Sequence, residues 1–164
     1  MKVTSIVKLI PVLFFIIIIT SCTTTKKPDH SFNTENETEA KEVLQKLLTS
    51  IENKNIESLQ ATLSPTGQME LILPKTATTY TVDEFVEIHK KWFKDSTWTM
   101  KTKILNIKSS NTIAAATTEA IYNEPDRNGV PYYNHMIVTY VLEKINGKWY
   151  VIKDHANSLK KSTD

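Results

Sequence analysis

The chain has one cysteine and three glycines, and each shortage removes a class of function. A lone Cys22 excludes an internal disulfide and any metal centre built from several thiolates. With so few glycines there is no Gly-rich phosphate loop, and neither GxGxxG nor the P-loop pattern occurs. The four histidines show no HxxxH or HExxH spacing, so neither a metal nor a cofactor is expected. Charge of one sign is missing as well. Residues 1–21 carry Lys2 and Lys8 and no acid, so the 20 Lys+Arg of the chain fall to 18 (20 − 2) against 18 Asp+Glu beyond them. A neutral remainder gives no basis for a nucleic-acid surface.

What is present begins with an export segment. Lys2 and Lys8 precede an apolar run, Leu9 to Ile19, broken only by Pro11. That run is short of the roughly 20 residues of a bilayer span and suits a signal peptide over residues 1–21. It ends at Ile19-Thr20-Ser21-Cys22, which resembles a bacterial lipoprotein lipobox. The resemblance implies cleavage before Cys22, lipidation of Cys22 and a lipid-anchored place in the bacterial cell envelope. Several acyl chains on one N-terminus meet the requirement for a stable anchor. Thr23-Thr24-Thr25-Lys26-Lys27 contains no acidic run, which favours the periplasm-facing side of the outer membrane. Residues 22–36 are Thr-, Lys- and Asn-rich and read as a flexible tether, followed by one domain over 37–158 and a tail over 159–164.

Within the domain, Ala40, Val43, Leu44, Leu47, Leu48 and Ile51 form one helical stripe, ended by Asn53-Lys54-Asn55. Asn55 is placed to cap a second short helix through Ile56, Leu59 and Leu63. Met69, Leu71 and Leu73 alternate with polar neighbours as a strand, and Thr81-x-x-Glu84 is a capping box for a third helix, Val82 to Phe93. From Trp98 onward four alternating runs read as an antiparallel meander whose last turn is Asn146-Gly147. Helices first and strands after give an α+β domain.

The closing segment, Asn146-Gly147-Lys148-Trp149-Tyr150-Val151-Ile152-Lys153-Asp154-His155-Ala156-Asn157-Ser158, resembles the final strand of the NTF2-like superfamily, particularly its SnoaL-like branch. The opening pair of helices, Glu42 to Pro65, resembles that of the same proteins. The likeness spans roughly residues 38 to 158. It implies a cone-shaped, curved antiparallel sheet with N-terminal helices packed on its concave face, a pocket between them, and pairing into a homodimer through the outer face of the sheet.

Register then assigns faces. With Ile145 opposite Lys148, an unbroken ladder puts Val151, Lys153 and His155 on the inner face with Leu142, Tyr140, Val138 and Met136. Extended to the other hairpins, it lines a pocket with Trp98, Met100, Tyr122, Asn134, Met136, Tyr140 and His155, widened by the alternating Ala114, Ala116 and Ala120. Glu119 and Asp154 fall outside, leaving no acid within the meander and His155 as its one titratable base. The expectation is therefore a non-catalytic, lipid-anchored domain that holds a small hydrophobic ligand or a protein partner. The alternative is a SnoaL-like isomerase, cyclase or hydrolase with His155 as general base.

Overall fold

A computed structural model describes residues 34–74 and 78–162; Cys22, the expected signal peptide and nearly all of the tether lie outside them. Helix α1, Thr34–Glu52, begins inside the segment read as tether, and its Asn36 is already buried. The stripe read from the sequence is its buried face: Ala40, Leu44, Leu47, Leu48 and Ile51 are at most 4% exposed. Helix α2, Ile56–Gln60, is capped by Asn55, whose side chain accepts from Ser58 N. Helix α3, Val82–Trp92, opens on the complete capping box of Thr81 and Glu84.

The strands are β1 (Gln68–Ile72), β2 (Thr79–Thr81), β3 (Thr99–Ser109), β4 (Ile113–Arg127), β5 (Val130–Ile145) and β6 (Lys148–Lys161). They form one sheet in the order β2-β1-β6-β5-β4-β3. The four-strand meander is antiparallel as expected, but β1 runs parallel to β6, so the sheet is mixed. Strand β2 was not legible, because three residues carry no period and Thr81 also serves as the cap of α3. The β4–β5 hairpin is longer than expected. Its strands run through Glu124-Pro125-Asp126-Arg127 to a tight turn at Asn128 and Gly129, both at positive φ. Likewise β6 continues to Lys161, into the segment read as tail.

The core lies between the helices and the concave face of the sheet. Leu44, Leu47, Phe85, Trp98, Leu142 and Val151 are fully buried there, and α1 lies across β3 and β6. Polar contacts tie α1 to the β5–β6 hairpin. Lys144 Nζ donates to Asn36 Oδ1 at 2.8 Å and Glu39 Oε2 at 2.7 Å, and Trp149 Nε1 donates to the same Glu39 oxygen at 3.1 Å. At its other end Glu52 Oε1 accepts from Thr102 N at 2.7 Å, which occupies a donor of the edge strand β3.

Candidate functional site

The helices do not fill the cone. A cavity of about 400 Å³ remains between α1, α3, β1 and the sheet. Its walls are apolar: Ile51, Leu71, Met100, Met136 and Val138, with Ala120 and Ala156 supplying the room. Alanines on alternate positions of β4, buried at Ala114, Ala116 and Ala120, keep the concave face shallow, as their period suggests. The cavity is of the size and character typical of small-molecule sites.

Among its buried polar groups is Asp154. The β5–β6 ladder runs unbroken from Ile145↔Lys148 to Leu142↔Val151, then shifts so that Val141 faces Lys153 and Tyr140 faces Asp154. The extra residue is Ile152, a β-bulge that inverts the face assignments from Lys153 to Ser158, where a second register shift follows. Lys153 turns outward and pairs with Glu70 of the neighbouring β1 at 2.6 Å. Asp154 turns inward and is 6% exposed. An unbroken strand would instead have buried the Lys153 ammonium, at the cost of desolvating a charge with no acid beside it. That conflict points to a bulge only once Glu70 is known to lie beside Lys153.

Burial pushes the Asp154 carboxyl up to about 7, against a smaller lowering from the Tyr140 hydroxyl opposite it. Tyr140 is itself held well above its ordinary value, by burial first and then by Asp154. Asp154 Oδ1 is buried without a hydrogen-bond partner, as is Asn134 Oδ1, nearer the wide end of the same cavity. A native interior seldom leaves such atoms unmet unless water or a ligand meets them.

Across the cavity, α3 presents Ile88, His89 and Trp92. His89 is buried, with Nδ1 2.8 Å from the Phe85 carbonyl, and desolvation lowers it to about 4. It is a neutral imidazole at neutral pH. At the wide end, Arg127 lies 3.4 Å from the centre of the Tyr132 ring. Its Nη2 and Nε donate to Glu124 Oε2 at 2.6 and 2.9 Å, and the Tyr122 hydroxyl donates to that oxygen at 3.0 Å.

Met100, Tyr122, Asn134, Met136 and Tyr140 line the cavity, where the register placed them. Trp98 is on the inner face but stands behind the lining, stacked on Trp92 with ring centres 4.3 Å apart. His155 is not in the cavity: past the bulge it pairs with Thr139 on the outer face and is exposed. Asp154, expected outside, takes the interior position in its place. Arg127 was missed because its segment carries turn residues and reads as a loop. Among the described residues, no group of His, Cys, Asp and Glu is arranged to hold a metal ion.

Known folds share this architecture. A ketosteroid isomerase-like protein from Erwinia carotovora matches with a TM-score of 0.67 at 18% identity, covering 78% of this chain and 99% of that one. An NTF2-like protein of unknown function from Pseudomonas putida matches with a TM-score of 0.65 at 13% identity, over 77% of this chain and 88% of its own. A third, an NTF2-like protein of unknown function from Shewanella oneidensis, is 19% identical, with a TM-score of 0.60 over 73% of this chain and 96% of its own. At these identities the likeness establishes the fold alone. No curated protein matches the chain. The profile of the SnoaL-like domain matches residues 40–159, from α1 to near the end of β6, and the chain belongs to that SnoaL-like branch of the NTF2-like superfamily.

Proposed function

We propose that this chain is a lipid-anchored protein of the bacterial cell envelope that binds a small, mostly apolar molecule inside its cone. The observation that carries the reading is the pairing of an apolar cavity of about 400 Å³ with two buried, unpartnered oxygens, Asp154 Oδ1 and Asn134 Oδ1. Apolar walls supply the driving force, and a few polar points fix orientation. The lipobox-like Ile19-Thr20-Ser21-Cys22 supports the anchor. Two experiments test this. Native mass spectrometry of the chain isolated from membranes in mild detergent should find a co-purifying molecule that is lost in Ala120→Phe, whose ring occupies the cavity. Metabolic labelling with a fatty acid should mark the wild type and not Cys22→Ser. A cavity that stays empty in both forms refutes the binding role, and an unlabelled wild type refutes the anchor.

One observation favours a second reading, acid–base catalysis. A carboxyl that titrates at about 7 inside a cavity is matched to proton transfer near neutral pH. In that reading the base is Asp154, with Tyr140 orienting it, and the exposed His155 takes no part. Asp154→Asn would then bind the co-purifying molecule but no longer convert it.

A homodimer through the outer sheet face is the third element of the proposal. Ile113, Ile121, Ile137, Val141 and Ile152 project from that face, an apolar stripe of the kind that marks an interface.

A further inference from the structure

We infer that the molecule held in the cone is an elongated, mostly apolar compound that carries a hydroxyl or amino group at its buried end and no negative charge there. The inference rests on the binding role above and narrows it. Three features of the cavity support it. First, the polar groups at the buried end are the Asp154 carboxyl and the Tyr140 hydroxyl, and once the carboxyl is ionised the Asp154 atom without a partner is an acceptor oxygen. A ligand satisfies it by donating a hydrogen bond. Second, among the described residues the single cationic side chain of the lining is Arg127, which is already paired with Glu124 and sits by Tyr132 at the far end. A carboxylate or phosphate pushed to the buried end would meet an acid and, among the described residues, no counter-charge, and desolvation would penalise it further. Third, the row holding Tyr140 and Asp154 and the row holding Asn134 are six residues apart along β5, roughly 20 Å of strand before curvature shortens it. Between them the walls are Val138, Met136, Ala120 and Ala156. That spacing suits an apolar body longer than it is wide.

A hydroxyl and an ammonium are distinguishable here, because an ammonium gains from an ionised Asp154 and a hydroxyl does not. The cavity provides its own reporters. Met100 and Met136 line it, and the chain has only four methionines. The full chain, labelled with ¹³C at the methionine methyls and held in phosphatidylcholine nanodiscs, is titrated with octan-1-ol, octylamine and octanoate, which share one body and differ in the head group. At equal free concentration and pH 8, octanol and octylamine should shift both methyls at concentrations at least about tenfold below octanoate. Octylamine should tighten about tenfold between pH 6 and pH 8 if the amino group is the natural head. A flat profile with octanol preferred assigns the hydroxyl. Asp154→Asn, its fold checked by the unchanged Met69 methyl, should erase the discrimination against octanoate. Octanoate binding as tightly as the other two, or discrimination that survives in Asp154→Asn, overturns the head-group assignment while leaving the binding role standing. Shifts from none of the three probes, or shifts equal in Ala120→Phe, overturn both.

Discussion

Tyr140 faces Asp154 across the β5–β6 ladder, in the place where an unbroken hairpin would have set Lys153. One inserted residue, Ile152, therefore decides whether the cavity contains an amine or a carboxyl.

Asp154 and His89 should oppose each other in the pH dependence of stability. Folded Asp154 keeps its proton up to about pH 7, whereas the unfolded chain releases it near 3.8, so this group lowers stability as pH rises through that window. Folded His89 refuses a proton until about pH 4, whereas the unfolded chain takes one near 6.5, so this group raises stability with pH over its own window. The two effects are roughly 4 and 3 kcal/mol and nearly cancel from pH 4 to 6.5. Relative to wild type, Asp154→Asn should gain stability as pH rises from 4 to 7. His89→Gln should lose it from 4 to 6.5. Urea denaturation across that range reads both, and parallel curves for all three proteins would contradict the assignment.

His155→Ala should change unfolding free energy by less than about 0.5 kcal/mol and leave the methyl shifts of bound ligand unaltered, since its side chain is exposed on the outer face. A loss of ligand binding on this substitution would place the imidazole inside and refute the bulge.

Leu44→Ala removes a fully buried side chain from the face of α1 that packs on the sheet. It should cost about 2–5 kcal/mol by chemical denaturation. A cost below about 1 kcal/mol would mean that α1 is not part of the core.

Thr81→Ala breaks the capping box, in which Thr81 Oγ1 accepts from Glu84 N at 3.2 Å and Glu84 Oε2 accepts from Thr81 N at 3.1 Å. About 1 kcal/mol should be lost. Hydrogen exchange should accelerate in the first turn of α3 before it does elsewhere.

Ile137→Lys puts a charge at the middle of the outer stripe. Light scattering should show a dimer for the wild type and a monomer for the variant, with the cavity still competent to bind. A wild-type monomer at micromolar concentration would remove the outer face as an interface.

Much of this architecture was legible because it rests on period and capping. The stripe from Ala40 to Ile51, the Asn55 cap, the Thr81–Glu84 box and the Asn146-Gly147 turn are local signals, and each is found where the pattern puts it. The inner faces of β4 and β5 followed from alternation, since no bulge interrupts their pairing between Ile113 and Glu124. Two things were not legible for one reason: they depend on partners distant in sequence. The parallel pairing of β1 with β6 joins segments with no turn between them. The bulge at Ile152 is favoured by Glu70, the outward partner of Lys153, which no inspection of the hairpin by itself supplies. The cavity was inferred from the alanines, but its acid was lost through the bulge.

The bulge also makes the interior of this cone a matter of parity. Along β6 the adjacent pair Asp154-His155 offers one side chain to each face, and the count of residues back to the Asn146-Gly147 turn decides which goes in. One parity presents the Asp154 carboxyl and Ala156 to the enclosed space, and the other presents Lys153 and the His155 imidazole. A strand with such a pair encodes two chemistries one residue apart, and a single-codon insertion or deletion between the turn and Asp154 is the smallest genetic step that exchanges them.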